Sequence, residues 1–412
     1  MWQTKISNIE WLGTYPAHWQ LKKIKYCLQE RVEKNNPVKT TNILSLTAKQ
    51  GVIPYDEKEG GGNKPKEDVR DYRLAYPGDI VMNSMNILSG SVGLSNYFGC
   101  VSPVYYMLRP FDKDEDVRFY NYIFQTTVFQ KSLFGLGNGI LIKESGNGKL
   151  NTIRMRIPME KFGNLFIPVA GPIEQHKIAN YLDQKCSEID AITKDIQTQI
   201  DTLEQYKRSV ITEAVTKGLD PDVEMKDSGI EWIGKIPNTW ELLKAKYCVN
   251  ITNGSDPKTD GNIPVYGSGA TSFKSCGEYK DGPAVLIGRK GATLHIPHYV
   301  ENRYWNVDTA FDVKAKQGFS LRYYYYLAVV FDYGYYLSQT TLPSMTQSNY
   351  NSMKIPFPPS ECQDKIVCYI DNKCKSINAI ITEKQSQLSI LSDYKKSLIY
   401  EYVTGKKEVP VE

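Results

Sequence analysis

The chain has 412 residues, of which 41% are hydrophobic, and this length favours two or more domains over a single core. Its 50 Lys and Arg against 46 Asp and Glu give a formal net charge of +4, which is compatible with a nucleic-acid partner but does not require one. Eight Cys without a CxxC pair and only four His argue against a zinc site. Early charges at Lys5 and Glu10 predict no signal peptide, and Asp332 interrupts the most apolar stretch, so we expect no membrane span.

The chain begins with a motif that it later repeats. IEWLGTYPAHWQLKKIKYC starts at Ile9 and IEWIGKIPNTWELLKAKYC starts at Ile230, and eleven of the nineteen positions are identical. We call these two segments the opening motifs. So long a period indicates a duplicated domain rather than a solenoid. The motifs contain two pairs of tryptophans, Trp11 with Trp232 and Trp19 with Trp240. We interpret these rings as core anchors in preference to base-stacking platforms.

A divergent region follows each opening motif. LAYPGDIVMNS and GCVSPVYYMLR in the first region, and PAVLIGRKGATLHI in the second, carry short β-branched and aromatic runs between Gly and Pro. Such runs are typical of short β-strands. Each divergent region is therefore predicted to form a small globular domain with a few strands.

A shared tail closes each half. The first tail starts at Ile167 and the second at Ile355, a shorter offset than that between the opening motifs, so the first divergent region is longer than the second. Pro172 and Glu174 suit the first turn of a helix, and Gly218 suits its end. Apolar residues recur about every 3.5 positions, which predicts a coiled-coil seam rather than a general amphipathic face. The predicted seam residues are Ile178, Leu182, Ile189, Ile192, Ile196, Leu203, Tyr206, Ile366, Ile370, Ile377, Ile380, Leu388, Leu391 and Tyr394.

Each tail is predicted to be one helix of about 45 residues, roughly 65 Å long. A helix with a single apolar stripe needs a partner, and the nearest candidate is the other tail. The two helices are thus predicted to pack antiparallel and to relate the halves by a pseudo-two-fold axis. The alternative is that each helix packs on its own globular domain. Lys384 stands in the seam where the first helix has Ile196, and it can bend the pair or extend its ammonium group outward.

The predicted fold class is α+β, with two globular domains of short strands separated by two long antiparallel helices that form a coiled-coil spacer. The predicted boundaries are 1–166 for the first globular domain and 167–219 for the first long helix. Residues 220–354 then form a linker and the second globular domain, and residues 355–412 form the second long helix.

No catalytic or metal site is predicted. The chain lacks a GxxxxGK[ST] loop, and GLGNGILIKESGNGK lacks the spacing of a nucleotide fingerprint. Asp222, Glu224 and Lys226 resemble the metal-binding carboxylates and lysine of a nuclease. They lie close together in a polar linker, and the second half has no counterpart, so we interpret them as linker residues. A self-contained metal-dependent endonuclease stays as an alternative hypothesis.

Polar and basic side chains gather on Gly-rich loops of both divergent regions. Lys and Arg neutralise phosphates, and Arg, Asn, Gln and Ser can read base edges. We therefore predict DNA contacts on these loops, against the alternative that they are ordinary solvated loops. The predicted DNA-binding residues are Lys64, Lys66, Ser84, Asn86, Asn138, Lys143, Lys149, Tyr266, Ser268, Lys274, Arg289, Lys290, Thr293, Ser344, Thr346 and Gln347.

In this order, the segments resemble the specificity (S) subunit of type I restriction-modification systems. The resemblance rests on both opening motifs, on YPGDIVMNSMN, CVSPVYYMLRP, YGSGATSF and GPAVLIGRKGAT, and on both tails. DSGIEWIGKIPNTW, placed after a helix and KGLDP, is especially characteristic. The resemblance covers nearly the whole chain.

The resemblance implies that each divergent region is a target recognition domain that reads one half of a split, asymmetric DNA sequence. The long helices would set the gap between the half-sites and, with nearby faces, dock two methyltransferase subunits that methylate adenine. Restriction subunits would join the full complex. S-adenosylmethionine, ATP and Mg are expected on the partner subunits, so the chain itself would be a non-catalytic, cytoplasmic protein without a cofactor. A coiled-coil scaffold that binds only protein is the remaining alternative.

Overall fold

The computed structural model of the chain describes residues 3–47, 50–58, 64–137, 143–144, 150–151, 156–269, 271–334, 336–337 and 343–410. The chain divides into two compact units. Unit 1 consists of Met1–Lys194 together with Gln387–Glu412, and unit 2 consists of Asp195–Ser386. Unit 2 is thus one continuous stretch of sequence, whereas unit 1 is assembled from both ends.

Unit 1 contains fourteen described strands, four short helices and the first part of a long helix. The strands are β1 (Thr4–Ile6), β2 (Thr14–Pro16), β3 (Gln20–Lys23), β4 (Leu28–Arg31), β5 (Leu44–Thr47), β6 (Gly51–Pro54), β7 (Arg73–Ala75), β8 (Ile80–Asn83), β9 (Val92–Leu94), β10 (Gly99–Val101), β11 (Tyr105–Pro110), β12 (Lys143–Glu144), β13 (Leu150–Asn151) and β14 (Phe166–Val169). The helices are α1 (Ile24–Cys27), α2 (Val117–Gln125), α3 (Thr127–Ser132), α4 (Met159–Gly163) and the long α5 (Pro172–Lys217), with 3₁₀ turns at Tyr55–Glu57 and Ile87–Ser89.

Unit 2 contains the end of α5, eleven described strands and the first part of a second long helix. The strands are β15 (Met225–Asp227), β16 (Lys235–Pro237), β17 (Glu241–Lys244), β18 (Val249–Asn253), β19 (Ile263–Tyr266), β20 (Lys274–Cys276), β21 (Ala284–Gly288), β22 (His298–Val300), β23 (Trp305–Asn306), β24 (Ala310–Ala315) and β25 (Lys354–Phe357). The helices are α6 (Ala245–Cys248), α7 (Leu321–Val330), α8 (Gln347–Ser352) and the long α9 (Ser360–Val403). Within the described residues, no helix is long and apolar enough to cross a membrane.

The same four-stranded antiparallel sheet lies at the centre of each unit. Its strand order is β4-β11-β8-β9 in unit 1 and β18-β24-β21-β22 in unit 2. In both units the strand that follows the opening motif forms one edge, and the inner strands are largely buried. The two divergent regions therefore each form a sheet of the same topology, although their sequences differ. Outside this sheet they differ, because unit 2 adds a three-stranded sheet, β20-β19-β23, whereas unit 1 has the pairs β5-β6 and β7-β10.

Each opening motif joins the sheet domain to a long helix. Strand β3 of the first motif pairs with β14, which leads into α5, and β17 of the second motif pairs with β25, which leads into α9. Trp19 and Trp240 are buried, and the Trp19 indole N–H donates to Glu174 Oε2 at 3.0 Å. Their burial agrees with the interpretation of these rings as core anchors.

The end of a long helix also packs on each opening motif. In unit 2, a Cβ on Gly218 would lie 3.1 Å from the Trp240 ring. In unit 1, a Cβ on Gly405 would lie 2.3 Å from Pro16, and the Lys406 ammonium donates to Leu12 O at 2.7 Å. The last residues of α9 are thus part of the same core as the first residues of the chain.

A buried glutamine at the start of each long helix holds the sheet domain in place. Gln175 Oε1 accepts from the Asp116 backbone N–H at 3.0 Å, and its amide donates to Ala170 O at 2.9 Å. Gln363 repeats both bonds, with Ser320 N at 2.7 Å and Pro358 O at 2.9 Å. Asp116 and Ser320 are the N-cap residues of α2 and α7. The two glutamines are identical between the tails, and these contacts explain why.

An aspartate about two turns after each glutamine makes a second repeated contact. Asp183 accepts from Arg118 and Tyr122 of α2, both at 2.6 Å. Asp371 accepts from Arg322 of α7 at 2.9 Å and from the Tyr326 hydroxyl. Charge-assisted bonds of this kind are stronger than neutral ones, so they fix the angle at which each domain meets its helix.

Replacing Gln175 by Ala is expected to lower the free energy of unfolding by about 2–3 kcal/mol, because it leaves a buried N–H and a buried C=O without partners. Urea denaturation followed by circular dichroism measures the loss. The matched control is Gln184→Ala on the exposed face of α5, which should change stability by no more than about 0.5 kcal/mol. Equal effects from the two changes would contradict the role given to Gln175.

The two long helices pack antiparallel against each other within each unit. In unit 1, the Tyr181 and Tyr402 rings lie 4.6 Å apart and Lys395 Nζ pairs with Asp190 at 2.6 Å. In unit 2, Lys207 Nζ donates to Asn378 Oδ1 at 3.1 Å. Residue numbers rise along one helix as those of its partners fall. The predicted antiparallel pair is thus confirmed. The alternative, in which each helix packs only on its own globular domain, is wrong.

The buried seam of this pair has a regular heptad spacing. Residues four and three positions apart are buried or half-buried along the length of both helices. On α5 they are Leu182, Cys186, Ile189, Thr193, Ile196, Ile200, Leu203, Lys207 and Val210, and on α9 they are Ile370, Cys374, Ile377, Ile381, Lys384, Leu388, Leu391, Lys395 and Leu398. Ile178 and Ile366 are also buried, near the starts of the helices.

Four predicted seam residues lie outside the seam. Ile192 is 49% exposed, Tyr206 52%, Ile380 44% and Tyr394 53%. Each precedes by one position the residue that occupies the seam, which is Thr193, Lys207, Ile381 or Lys395. Thr and Lys can bury their aliphatic parts while their polar ends reach solvent or a partner. Heptad position, rather than side-chain polarity, therefore determines which residues lie in the seam.

Lys384 does not interrupt the helix in which it lies. Helix α9 is continuous from Ser360 to Val403, Lys384 is half-buried, and its ammonium donates to Gln199 Oε1 of α5. Of the two outcomes expected for Lys384, a bend in the helix pair or an extended side chain, the structure has the extended side chain.

Candidate nucleic-acid interface

Three loops of unit 2 that were predicted to bind DNA lie next to one another. The Ser268 and Thr293 hydroxyl oxygens are 3.4 Å apart, which joins the loop after β19 to the loop after β21. Gly291 N donates to Pro343 O at 3.0 Å, and Met345 N donates to Arg289 O at 2.8 Å, which joins the segment before α8. These contacts place Ser268, Arg289, Lys290, Thr293 and Ser344 on one surface, although they come from three separate parts of the sequence.

Two cations of this surface contact the same residue, Asp308, one at its carboxylate and the other at its backbone oxygen. Lys290 Nζ pairs with Asp308 Oδ2 at 2.9 Å, and Arg289 Nη1 donates to the Asp308 backbone oxygen at 3.3 Å. The side chains of Lys290 and Asp308 both remain accessible to solvent, and Arg289 is exposed. A phosphate or a base edge can therefore approach both cations, while Asp308 restricts their directions.

Glycine is required in the turn that presents these cations. A Cβ on Gly288 would lie 2.2 Å from Leu294 Cα, so no side chain fits between the strand end and the returning loop. Gly291 has φ +114, a conformation that L side chains rarely adopt. The sequence GRKGAT thus makes a tight turn with its two basic residues at the tip.

Aromatic residues border the same surface. The Tyr266 ring packs on His298 with centroids 4.8 Å apart, and burial lowers the pKa of His298. Phe273 is 61% exposed, lies beside Gly267, and has the Lys274 ammonium over its ring. An exposed ring next to a cation suits stacking on a base or contact with a thymine methyl group. Sequence reasoning did not select Phe273, and its place between Ser272 and Lys274 on a polar loop was the available signal.

Two predicted DNA-binding residues of unit 2 also have a role in the fold. Thr346 is the N-cap of α8, where its hydroxyl accepts from Asn349 N at 3.0 Å. The Gln347 amide donates to Ile251 O at 2.5 Å and so ties α8 to β18. Gln347 is half-buried and Thr346 is exposed, so the predicted DNA contacts of both residues stay predictions.

The predicted residues of unit 1 are less completely defined. Lys64, Lys66 and Asn86 are exposed on loops. Ser84 is fully buried, and its hydroxyl donates to Val104 O at 2.7 Å, so it cannot meet a ligand. The backbone of Lys143 lies in β12, but its side chain, like Asn138 and Lys149, falls outside the described residues.

The nuclease-like residues of the linker form part of a hairpin. Lys226 lies in β15, and its ammonium donates to Asn238 O at 2.7 Å. The Glu224 backbone oxygen accepts from Asn238 N at 2.8 Å. In the described part of the chain, no group of three or more His, Cys, Asp or Glu residues could hold a metal ion.

Residues 239–389 match the family model described as Type I restriction modification DNA specificity domain. The segment begins in the second opening motif and ends in α9, so it contains the three joined loops. Two similar curated proteins are both from Methanocaldococcus jannaschii. The type I restriction enzyme MjaVIII specificity subunit is 34% identical over 93 residues, which cover 23% of this chain and 20% of that one. The putative type I restriction enzyme MjaX specificity subunit is 23% identical, over 97% of this chain and 96% of that one.

A solved structure has the same fold along almost the whole chain. It is described as "Structural basis underlying complex assembly and conformational transition of the type I R-M system", and it superposes with a TM-score of 0.70 at 13% identity. The superposition covers 95% of this chain and 99% of that one.

Proposed function

We propose that the chain is a specificity subunit of the type I restriction-modification family, a proposal supported by the matched segment and by the full-length relative and consistent with the fold, and that it recognises DNA as follows. Each unit carries one target recognition domain, and each domain reads one half of a bipartite, asymmetric DNA site. In unit 2 the reading surface consists of the loops around Ser268, Arg289, Lys290, Thr293 and Ser344.

One observation carries this proposal. The two units repeat the opening motif, the four-stranded sheet and the helix contacts, yet their loops outside the sheet differ in sequence and in strand pairing. The repeated parts would hold the two domains in equivalent positions. The different loops would let each domain bind a different half-site. A protein-only scaffold would give no reason for the basic, glycine-rich turn at Arg289 and Lys290.

The long helices are proposed to set the gap between the half-sites and, with nearby faces, to dock two methyltransferase subunits. Restriction subunits then join through this assembly. The chain itself carries out no chemistry, so S-adenosylmethionine for adenine methylation, and ATP and Mg for restriction, belong to the partner subunits. The proposed place of action is the cytoplasm, where the DNA is accessible.

The direct test is to co-express the chain with its methyltransferase subunit and to map methylated adenines across the host genome. We expect one bipartite motif with two unlike halves and a fixed gap. DNA cleavage by the purified chain with Mg, lost on Glu224→Ala, would instead support the endonuclease alternative. An assembled complex with no affinity for DNA would support the protein-only scaffold.

Substituting Arg289 or Lys290 by Ala is expected to weaken binding of the assembled complex to its site about 5- to 100-fold, since a contact to phosphate or to a base edge is lost. Fluorescence anisotropy over a range of salt concentrations measures the change. A loss that is equal for all sequences, with a shallower salt dependence, indicates a phosphate contact. A loss that relaxes the choice of bases in one half-site indicates base reading.

The control for these variants is Lys235→Ala, which removes an exposed lysine from the β15–β16 hairpin of the same unit. Its affinity should stay within about twofold of the unchanged complex. Unchanged affinity after substitution of both Arg289 and Lys290 would exclude this turn from the DNA interface.

A further inference from the structure

One carboxylate of unit 2, that of Asp308, belongs to the basic reading surface. Asp308 lies in the turn between β23 and β24, and the preceding Val307 N donates to Tyr266 O at 3.0 Å. On the other side of the turn, Arg289 N donates to Thr309 O at 2.8 Å. These two bonds hold the turn between the end of β19 and the end of β21, the strands whose loops were predicted to bind DNA.

The Asp308 carboxylate keeps one oxygen available for a ligand. Its Oδ2 accepts from Lys290 Nζ at 2.9 Å, and 47% of the side chain is exposed. Its Oδ1 has no hydrogen-bond partner among the described residues. A carboxylate has lone pairs for about four hydrogen bonds, so Asp308 can accept from a ligand while it stays paired with Lys290.

The equivalent turn of unit 1 has no acid. Ala315 of β24 and Pro110 of β11 each lie opposite the first residue of the edge strand. Counting back from these two residues, Asp308 corresponds to Pro103. The sheet that the two units have in common therefore forms without a carboxylate in this turn, and the acid belongs to the part that differs between the two domains.

An acid in this position opposes the binding of DNA phosphates. It neutralises the adjacent Lys290 and repels the phosphates that Arg289 and Lys274 attract. It also adds little to the stability of the fold, because solvent screens an exposed ion pair. Neither phosphate affinity nor stability explains Asp308, whereas the recognition of a base does.

The bases differ in the group that they present in the major groove. Cytosine and adenine present an exocyclic amino group, which donates, whereas guanine and thymine present a carbonyl oxygen, which accepts. A carboxylate accepts from the amino group and repels the carbonyl oxygen. The ammonium of Lys290 beside it can donate to the neighbouring acceptor, which is N7 of adenine or O6 of the guanine paired with cytosine. The ion pair thus offers an acceptor and a donor side by side.

We propose that Asp308 reads one base of the half-site bound by unit 2, by accepting a hydrogen bond from the exocyclic amino group of cytosine or adenine. Guanine and thymine are rejected in the same place, because their carbonyl oxygens face the carboxylate. This inference rests on the proposed function, in which unit 2 binds one half-site. It assigns the choice of base to an acid, whereas Arg289 and Lys290 supply most of the affinity.

The first measurement maps methylated adenines in cells that co-express the methyltransferase subunit with the unchanged chain or with Asp308→Ala. We expect one position of one half-site to admit all four bases in the variant, while the other positions and the gap stay the same. Asp308→Asn keeps the shape of the side chain, but its amide both donates and accepts, so it should relax the same position. The base pair that the unchanged chain specifies there shows whether the amino group belongs to cytosine or adenine.

The second measurement removes the amino group from the DNA. Fluorescence anisotropy of the assembled complex compares the natural site with one in which 2-pyrimidinone replaces that cytosine, or purine replaces that adenine. We expect the unchanged complex to lose about 10- to 100-fold in affinity and Asp308→Ala to lose less than about threefold, since its acceptor is already absent. The affinity of Asp308→Ala for unrelated DNA should rise about two- to fivefold, because a negative charge is removed.

The matched control is Asp281→Asn. Asp281 is another exposed acid of unit 2 that pairs with one cation, Arg303 Nε at 3.3 Å, but it precedes β21, whereas the reading turn follows that strand. The control should leave the methylated motif unchanged and the affinity within about twofold.

Three results would contradict the proposal. If Asp308→Ala and Asp308→Asn methylate the original motif, or if loss of the amino group weakens the variant and the unchanged complex equally, Asp308 does not read a base. If Asp308→Ala loses affinity equally for all sequences, Asp308 only orients Lys290. Both results overturn this inference and leave the proposed function intact. An unchanged chain that yields no bipartite motif overturns the proposed function as well.

Discussion

Deleting one heptad from each long helix is expected to shorten the gap between the two half-sites without changing either half-site. The deletions are Thr193–Gln199 and Ile381–Gln387, which are equivalent in the repeat. Seven residues per helix correspond to about 10 Å of helix, which is the length of roughly three base pairs. Because a whole heptad is removed from both helices, the seam and its register continue across each new junction. Mapping methylated adenines in cells that express the variant and its methyltransferase measures the new gap.

The control is the same deletion in α9 alone. One helix is then a heptad shorter than its partner, the seam cannot stay in register in both units, and we expect methylation to fall at least tenfold. A matched double deletion that methylates the original motif with the original gap would show that the helices do not set the distance.

Replacing Trp19 by Ala is expected to lower the free energy of unfolding by about 3–5 kcal/mol, the usual loss for a large buried aromatic residue. The Trp19 indole packs edge-on against Phe119 at 5.9 Å, bonds Glu174, and lies against Gly405. One substitution therefore loosens contacts among the opening motif, α2, the start of α5 and the end of α9. Urea denaturation measures the loss, and hydrogen exchange shows where it falls.

Hydrogen exchange should rise in unit 1 after Trp19→Ala and in unit 2 after the equivalent change Trp240→Ala. Gln20→Ala, at the exposed residue next to Trp19, should alter stability by no more than about 0.5 kcal/mol. A loss below about 1 kcal/mol for Trp19→Ala would contradict the role of this ring as a core anchor.

The repeats and the long helices could be predicted from the sequence because their signals are periodic and extend over many residues. The register of the seam could not be predicted fully. Ile192 and Tyr206 are more apolar than Thr193 and Lys207, so apolar spacing alone favoured the wrong neighbour. A regular alternation of four and three positions, with a polar residue admitted at a few of them, identifies the seam correctly.

The candidate DNA surface was predicted in part. GRKGAT and YGSGATSF were predicted to be DNA-binding loops, but their mutual contact depends on how β19, β21 and α8 are arranged in space. Polar side chains on such loops also stabilise the loops themselves, as Ser84 and Gln347 do, and residue type alone does not separate the two uses. The common sheet of the two units was not predicted, since their divergent regions share little sequence.

The composition of unit 1 from both ends of the sequence has a consequence for biosynthesis. Residues 195–386 leave the ribosome as one stretch, so the core of unit 2 can form during translation. The core of unit 1 includes Leu398, Tyr402 and Val403, which are synthesised after all of unit 2. The amino-terminal part of unit 1 therefore stays incompletely packed until the end of α9 has been synthesised. A premature stop codon shortly before residue 398 would therefore destabilise unit 1, although most of this unit is translated before unit 2.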